Sequence, residues 1–224
     1  MSITVGERPD TSAELVEQFR GLQTSTIGSV LDELGLGGAI LNIKPLAKGM
    51  SFVGAALTVK EVTGVQHSYK PEDFALGMVV DRIRPLDVVV IDNGGQQVST
   101  WGGLASLTAA RNGASGLVVD GGIRDADEIV ELGFAAFPRH VVPFSAKTRV
   151  KIIEINTTVK IDGVSVAAGD ILVGDSTGIV RVPLERAAEV AARAGLLARQ
   201  DKQAVADIKS GMSFTDALRK FSNA

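Results

Sequence analysis

Arg124 and Asp125 are the residues best suited to chemistry, and they stand side by side after Gly121-Gly122-Ile123. A guanidinium is planar and presents paired donors, so Arg124 can hold a carboxylate at two points. The Asp125 carboxylate can bind a hard divalent cation, with water completing the coordination shell. Together they fit a 2-oxo acid chelated to Mg²⁺. Taken alone, however, the pair is more typical of an ordinary helix start, with Asp125 as the cap and Arg124 solvated.

A second element that can face an anion lies about twenty residues earlier, at Trp101-Gly102-Gly103. A helix is predicted to begin near Gly102 and to continue through Ala109. The first N–H groups of a helix have no partner within the helix, so they attract anions. Glycines at this point let a ligand carboxylate approach the backbone closely.

Two continuous apolar runs precede these segments, and such runs are typical of parallel strands buried on both faces. The middle of the chain therefore reads as strand, loop, helix, strand, turn, helix, strand, which is the pattern of parallel crossovers. Arg124 then lies at the carboxyl edge of a strand, where open α/β sheets bind ligands. The predicted elements are a strand at 88–91, a loop at 93–95, a strand at 117–119, a turn at 121–122, a helix at 125–132 and a strand at 135–137.

The flanking segments complete an α/β fold with a mixed central sheet and helices at both ends. Asp162-Gly163 is a strong hairpin signal between two alternating segments. No repeat or linker interrupts the chain, so residues 1–224 are expected to form one domain. The flanking elements are predicted helices at 12–21, 24–34 and 71–81, strands at 53–63, 150–161, 164–166, 171–173 and 178–182, and a helical segment after Pro183.

Composition excludes several function classes. The net charge is −3 and no run of Lys and Arg exceeds two residues, so nucleic acid is not an expected partner. No stretch approaches the roughly 18 apolar residues that span a membrane. Cysteine is absent, which excludes thiolate chemistry and suits the cytoplasm. His67 and His140 are far apart and lack the spacing of metal ligands.

Several motifs together resemble the RraA-like family. This family includes aldolases of 4-hydroxy-4-methyl-2-oxoglutarate and 4-carboxy-4-hydroxy-2-oxoadipate, and regulators of ribonuclease E. The likeness covers nearly the whole chain, and its motifs are specific in combination. They are TSTIGSVLDELGLGG (24–38), DVVVIDNGG (87–95), WGGL (101–104), GASGLVVDGGIRD (113–125) and GVSVAAGDILVGDSTGIVRVP (163–183).

The resemblance implies a fold of the swivelling β/β/α type and a class II pyruvate aldolase that also decarboxylates oxaloacetate. Arg124 and Asp125 would be the catalytic residues, with Asp125 holding Mg²⁺ or Mn²⁺. Arg124 would bind the carboxylate of a small 2-oxo acid, assisted by Gly102, Gly103 and the amides of Leu104 and Ala105. The family also implies a homotrimer or a dimer of trimers. A non-catalytic regulator of ribonuclease E is the alternative function.

The sequence departs from the aldolase pattern at Gly103, where active members carry an acid. A second family acid comes from a neighbouring subunit and would align near Gln200 or Asp201. The group that transfers the proton is therefore not identified by the resemblance. We expect slow aldol cleavage, better retained decarboxylation, and a gain from Gly103→Asp if the missing acid is the deficit. The sequence specifies neither the aldol substrate nor the metal.

Overall fold

The computed structural model describes residues 3–221, so residues 1, 2 and 222–224 of the expected domain lie outside the described part. The helices are α1 (Ala13–Glu17), α2 (Thr24–Glu33), α3 (Leu76–Val80), α4 (Gly103–Arg111), α5 (Ala126–Leu132), α6 (Ala187–Lys209) and α7 (Phe214–Phe221). Single 3₁₀ turns lie at Pro71–Asp73 and Leu184–Arg186. The strands are β1 (Thr4–Val5), β2 (Ala39–Ile40), β3 (Phe52–Thr63), β4 (Asp87–Trp101), β5 (Gly116–Ile123), β6 (Ala136–Val141), β7 (Val150–Ile155), β8 (Val159–Ile161), β9 (Val164–Val166), β10 (Ile171–Gly174) and β11 (Ile179–Val182).

Nine strands form one mixed sheet, in which β3, β4, β5 and β6 are parallel neighbours. Strands β10, β11 and β2 continue the sheet beyond β3 in antiparallel order. Strand β7 pairs with the second half of β3, and β1 pairs with β7. The predicted α/β fold with a mixed central sheet is confirmed, and so is the hairpin at Asp162-Gly163, which joins β8 to β9.

The apolar runs occupy the centre of the parallel sheet, as predicted. Val88 and Val90 point to one face of β4 while Val89 and Ile91 point to the other, and all four are fully buried. Helices α3, α4 and α5 contribute residues to the cluster on one face, and β8 and β9 contribute to the cluster on the other. Helices α1, α2 and α6 pack with β10 and β11 in a third cluster. No helix among residues 3–221 is long and apolar enough to cross a membrane.

Strands β4 and β5 are longer than predicted, because the segments expected to be a loop and a turn belong to them. In β4, Gly94 and Gly95 have positive φ angles of 60° and 74°, and the register with β5 shifts repeatedly after Asp92. These irregularities let β4 reach Trp101 opposite Ile123 although it uses more residues than β5 does. The predicted helix at 71–81 is also split, into a 3₁₀ turn and α3.

Glu61 is a buried carboxyl group on β3 that makes no well-aligned hydrogen bond among the described residues, although the Thr100 hydroxyl is close enough to lower its pKa in part. Burial raises the pKa of Glu61 well above 4.5, and the negative charge of Asp92 raises it further. The folded protein therefore keeps the Glu61 proton at pH values where the unfolded chain has released it. Stability falls as pH rises from about 4.5 towards the folded pKa.

We predict that Glu61→Gln removes this loss, because the neutral amide does not titrate. Between about pH 4.5 and the folded pKa of Glu61, the free energy of unfolding of the variant should rise relative to that of the wild type. The rise should be up to about 1.4 kcal/mol for each pH unit. Urea denaturation at about pH 4, 5.5 and 7 measures the difference. The exposed Glu72→Gln is the matched control and should show no such trend. A constant difference between wild type and Glu61→Gln at all pH values would contradict a buried, protonated Glu61.

Candidate functional site

The candidate site lies where β4 and β5 end side by side and α4 and α5 begin. Trp101, the last residue of β4, pairs with Ile123, the last residue of β5. The Arg124 N–H donates to the Trp101 carbonyl at 3.0 Å. The buried Trp101 indole donates to Ser106 Oγ at 2.9 Å, which fixes the first turn of α4. Arg124 is thus positioned at the carboxyl edge of the sheet, as predicted.

Asp125 turns back from α5 towards the first turn of α4. It adopts a left-handed conformation, with φ 56° and ψ 42°, immediately before α5. Its Oδ2 accepts a hydrogen bond from the Gly103 N–H at 3.1 Å and lies 3.5 Å from Arg124 Nε. The carboxylate therefore lies between a helix N-terminus and a guanidinium, where negative charge is favoured.

Carboxylates lie against both Gly102 and Gly103. A Cβ atom at Gly102 would lie 2.5 Å from Asp125 Oδ2 and 3.3 Å from Arg124 Nε. A Cβ atom at Gly103 would overlap the carboxylate of Glu128. The φ angle of Gly102 is −157°, which any residue can adopt, so the requirement for glycine there is one of space.

The surroundings of Arg124 and Asp125 are open. Their side chains are 49% and 34% exposed. The cleft beside Arg124 has a volume of about 60 Å³, whereas ligand pockets usually measure about 300–1,000 Å³. Within the described residues, the amides of Leu104 and Ala105 have no acceptor. The cleft is lined by Phe74, Leu76, Ser99, Thr100, Trp101, Gly102, Arg124, Ser145 and Ala146.

The donor set suits a hard divalent cation that keeps most of its water. Residues 3–221 contain no group of three or more His, Cys, Asp or Glu side chains placed to hold a metal ion. Two carboxylates, those of Asp125 and Glu128, meet the backbone at Gly102 and Gly103. Mg²⁺ is commonly bound through one or two carboxylates and several waters, so the Asp125 carboxylate, which the Gly103 N–H holds in place, fits it.

Asp125 and Glu128 lie against Gly102 and Gly103, beside the cleft and not in its lining. The remaining polar candidates are also absent from the lining. Asp120 accepts from Arg139 Nε at 2.6 Å and from the Asp162 N–H at 2.7 Å, so it joins β5, β6 and the hairpin. His140 Nε2 contacts the Gly95 carbonyl at 3.1 Å. Gln200 and Asp201 line a separate groove between α2, α6 and α7. Neither of the two positions at which the subunit-derived acid was expected lines the cleft of its own chain.

Glu128 is the functional candidate that the sequence analysis missed. It follows Asp125 by three residues in a predicted helix, and residues three apart lie on the same face. That spacing was the available signal. The contact with Gly103, which comes from a different helix, was not visible in the sequence.

Comparison with known proteins identifies similar chains. Residues 24–181 match the model of the RraA-like family, described as aldolase/RraA. The chain is 30% identical to protein DlpA of Legionella pneumophila over 95% of its own length, but it spans only 34% of DlpA. It is also 33% identical to a protein of Halalkalibacterium halodurans, over 76% of this chain and 77% of that one. That relative bears the provisional name 4-hydroxy-4-methyl-2-oxoglutarate aldolase.

A solved structure of similar fold is that of Streptomyces coelicolor RraAS2. It superposes with a TM-score of 0.76 at 27% identity and covers 92% of this chain and all of its own. It is described as an unusual member of the RNase ES inhibitor RraA family. The predicted RraA-like fold is thereby confirmed.

We predict that Gly102→Ala displaces the Asp125 carboxylate from the Gly103 N–H, because the added methyl group would occupy its position. Mn²⁺ affinity measured by calorimetry should fall about 10- to 100-fold, the usual loss when a hydrogen bond that orients a candidate metal ligand is removed. The fold should persist, because the Asp125 side chain can move into solvent. Gly28→Ala is the matched control, since a Cβ atom there meets open space. Wild-type Mn²⁺ affinity in Gly102→Ala would show that Gly102 does not set the position of Asp125.

Proposed function

The chain belongs to the RraA-like family, and we propose that it is a divalent-metal-dependent carbon–carbon lyase. Its substrate would be a small hydroxy-oxo dicarboxylate of the 4-hydroxy-4-methyl-2-oxoglutarate class, cleaved to release pyruvate. Oxaloacetate would be decarboxylated at the same site. The observation that carries the proposal is the junction of Arg124, Asp125 and the first turn of α4.

Arg124 would bind the substrate carboxylate next to the 2-oxo group. Its guanidinium is half exposed and its backbone is fixed to Trp101, so the side chain is free to engage a ligand from a fixed base. The amides of Leu104 and Ala105 would supply further donors on the same side of α4. Phe74, Leu76 and Trp101 form the apolar wall of the cleft and would contact the carbon chain of the substrate.

Asp125 would hold Mg²⁺ or Mn²⁺, with water completing the shell. When bound, the cation would polarise the 2-oxo group and so favour charge on its oxygen. The Gly103 N–H orients the Asp125 carboxylate before any ligand arrives. Aldol cleavage and decarboxylation then share a requirement, because each leaves the enolate of pyruvate. The same arginine and aspartate would therefore serve both reactions.

A second function has its own support. RraAS2, at 27% identity, is described as belonging to an inhibitor family of ribonuclease ES. By this alternative the chain would bind a ribonuclease of the E type, and neither Arg124 nor Asp125 would be needed. Activity of a variant at Asp125 separates the two functions.

We predict that the wild type releases pyruvate from oxaloacetate and from 4-hydroxy-4-methyl-2-oxoglutarate, and that EDTA abolishes the release. Asp125→Asn should lose metal stimulation by about 10²-fold or more, because the amide carries no charge to hold the cation. Asparagine tolerates the left-handed conformation, so the melting temperature should stay near that of the wild type. Exposed Asp127→Asn, two residues further along the chain and inside α5, is the matched control.

The outcome that would contradict the lyase is a wild type with no metal-dependent release from either substrate. Inhibition of a ribonuclease of the E type, retained in Asp125→Asn, would then support the regulator.

The site also motivates a proposal about assembly, which is a homotrimer or a dimer of trimers. The cleft of a single chain is much smaller than a usual ligand pocket. Leu104 and Leu107 form an apolar strip on the first two turns of α4 and are 83% and 55% exposed. A second subunit covering this strip would bury it and deepen the cleft.

We predict a mass of three or six times 23.4 kDa by light scattering at micromolar concentration. Leu107→Glu should lower the mass towards that of one chain, because a charge would be buried in the proposed interface. A wild type that is monomeric throughout this range would contradict the proposal.

A further inference from the structure

Glu128 lies directly against the first residue of α4. It is the third residue of α5, and its carboxylate occupies the volume that a side chain at Gly103 would need. A Cβ atom at Gly103 would overlap Glu128 Oε2 and lie 3.2 Å from its Cδ. The position that lacks an acid in the chain is therefore filled in space by an acid from the neighbouring helix.

The Glu128 carboxylate is not used elsewhere within residues 3–221. Asp125 accepts a hydrogen bond from Gly103 and faces Arg124, whereas Glu128 makes no hydrogen bond or ion pair there. It is exposed to solvent. Apart from Arg124, the residues that line the cleft are glycine, apolar residues or residues with a hydroxyl group, so the lining itself contains no carboxylate. The Glu128 carboxylate lies against Gly103, the residue next to Gly102 of the lining.

Resting on the lyase activity proposed above, we propose that Glu128 is the catalytic acid–base that replaces an acid at position 103. Its carboxylate accepts the proton of the substrate C4 hydroxyl. The O–H electron pair forms the new carbonyl, and the C3–C4 bond breaks with its electron pair left on C3 as the enolate of pyruvate. Glu128 then returns the same proton to C3, which completes the methyl group and regenerates the carboxylate.

Decarboxylation of oxaloacetate depends less on Glu128 than aldol cleavage does. Loss of CO₂ leaves the electron pair on C3 without removing any hydroxyl proton, so only protonation of C3 remains. Water can supply that proton at an open site. Aldol cleavage should therefore depend on Glu128 far more strongly than decarboxylation does.

The first test is Glu128→Gln, which keeps the size of the side chain and removes its capacity to accept the proton. We expect kcat for aldol cleavage to fall about 10²- to 10⁴-fold. Decarboxylation should fall much less, and oxalate should bind with unchanged affinity by calorimetry. Glu131→Gln, one turn further along α5 and also exposed, is the matched control.

The second test moves the carboxylate from α5 to α4. In the double variant Gly103→Asp/Glu128→Ala, the added side chain enters the volume vacated by Glu128, so aldol activity should recover well above that of Glu128→Gln. Gly103→Asp alone should give no gain, because two carboxylates would compete for one volume. A clear gain in that single variant, or wild-type aldol turnover in Glu128→Gln, would overturn the assignment.

The two proposals fail in different ways. If the wild type releases no pyruvate under any metal condition, the lyase fails and the role of Glu128 fails with it. If the wild type is active and EDTA-sensitive but Glu128→Gln cleaves the aldol substrate equally fast, the lyase stands and Glu128 alone is excluded. Melting temperatures near the wild-type value in Glu128→Gln ensure that lost activity is not lost fold.

Discussion

The first turn of α4 and the turn before α5 approach so closely that two carboxylates take the place of side chains at Gly102 and Gly103. This approach fixes the chemistry that the site can perform. It places Asp125 on a backbone N–H and beside a guanidinium, and it leaves two further amides of α4 open. Any side chain added at Gly102 or Gly103 competes for volume with an acid. Strands β4 and β5, the bulges in β4 and helices α4 and α5 together bring the first turn of α4 and the turn before α5 into contact.

The irregular half of β4 makes the approach possible. The segment of β4 from Asp92 to Trp101 has ten residues, whereas the segment of β5 that pairs with it, from Asp120 to Ile123, has four. The excess is absorbed in bulges, two of whose residues are glycines with positive φ. Both strands consequently end at the same level, and Arg124 can donate to the Trp101 carbonyl. Without this compensation α4 would begin out of reach of Asp125.

Elements that depend on a local sequence pattern could be predicted from the sequence. Elements that depend on close contact between residues far apart in the sequence could not. The apolar runs predicted the buried strands, and Asp162-Gly163 predicted its hairpin. Gly121 and Gly122 have the composition of a turn, but the structure uses them inside β5. There a Cβ atom would lie 2.9 Å from Asn93 Cβ or 2.8 Å from Val142 Cγ2. A glycine required by a distant neighbour has the same sequence signature as one required by a turn.

The same ambiguity affects how an absent acid is understood. When each position is considered by itself, a glycine where an acid is expected suggests that the group that transfers a proton has been lost. In the folded chain, the Glu128 carboxylate occupies the volume that a side chain at Gly103 would fill, so the two cannot occupy it together. Negative charge at the first turn of α4 is favoured whichever helix supplies it. The physical unit to compare between related chains is therefore the pair of positions, because only the pair determines whether a carboxylate is present at that point.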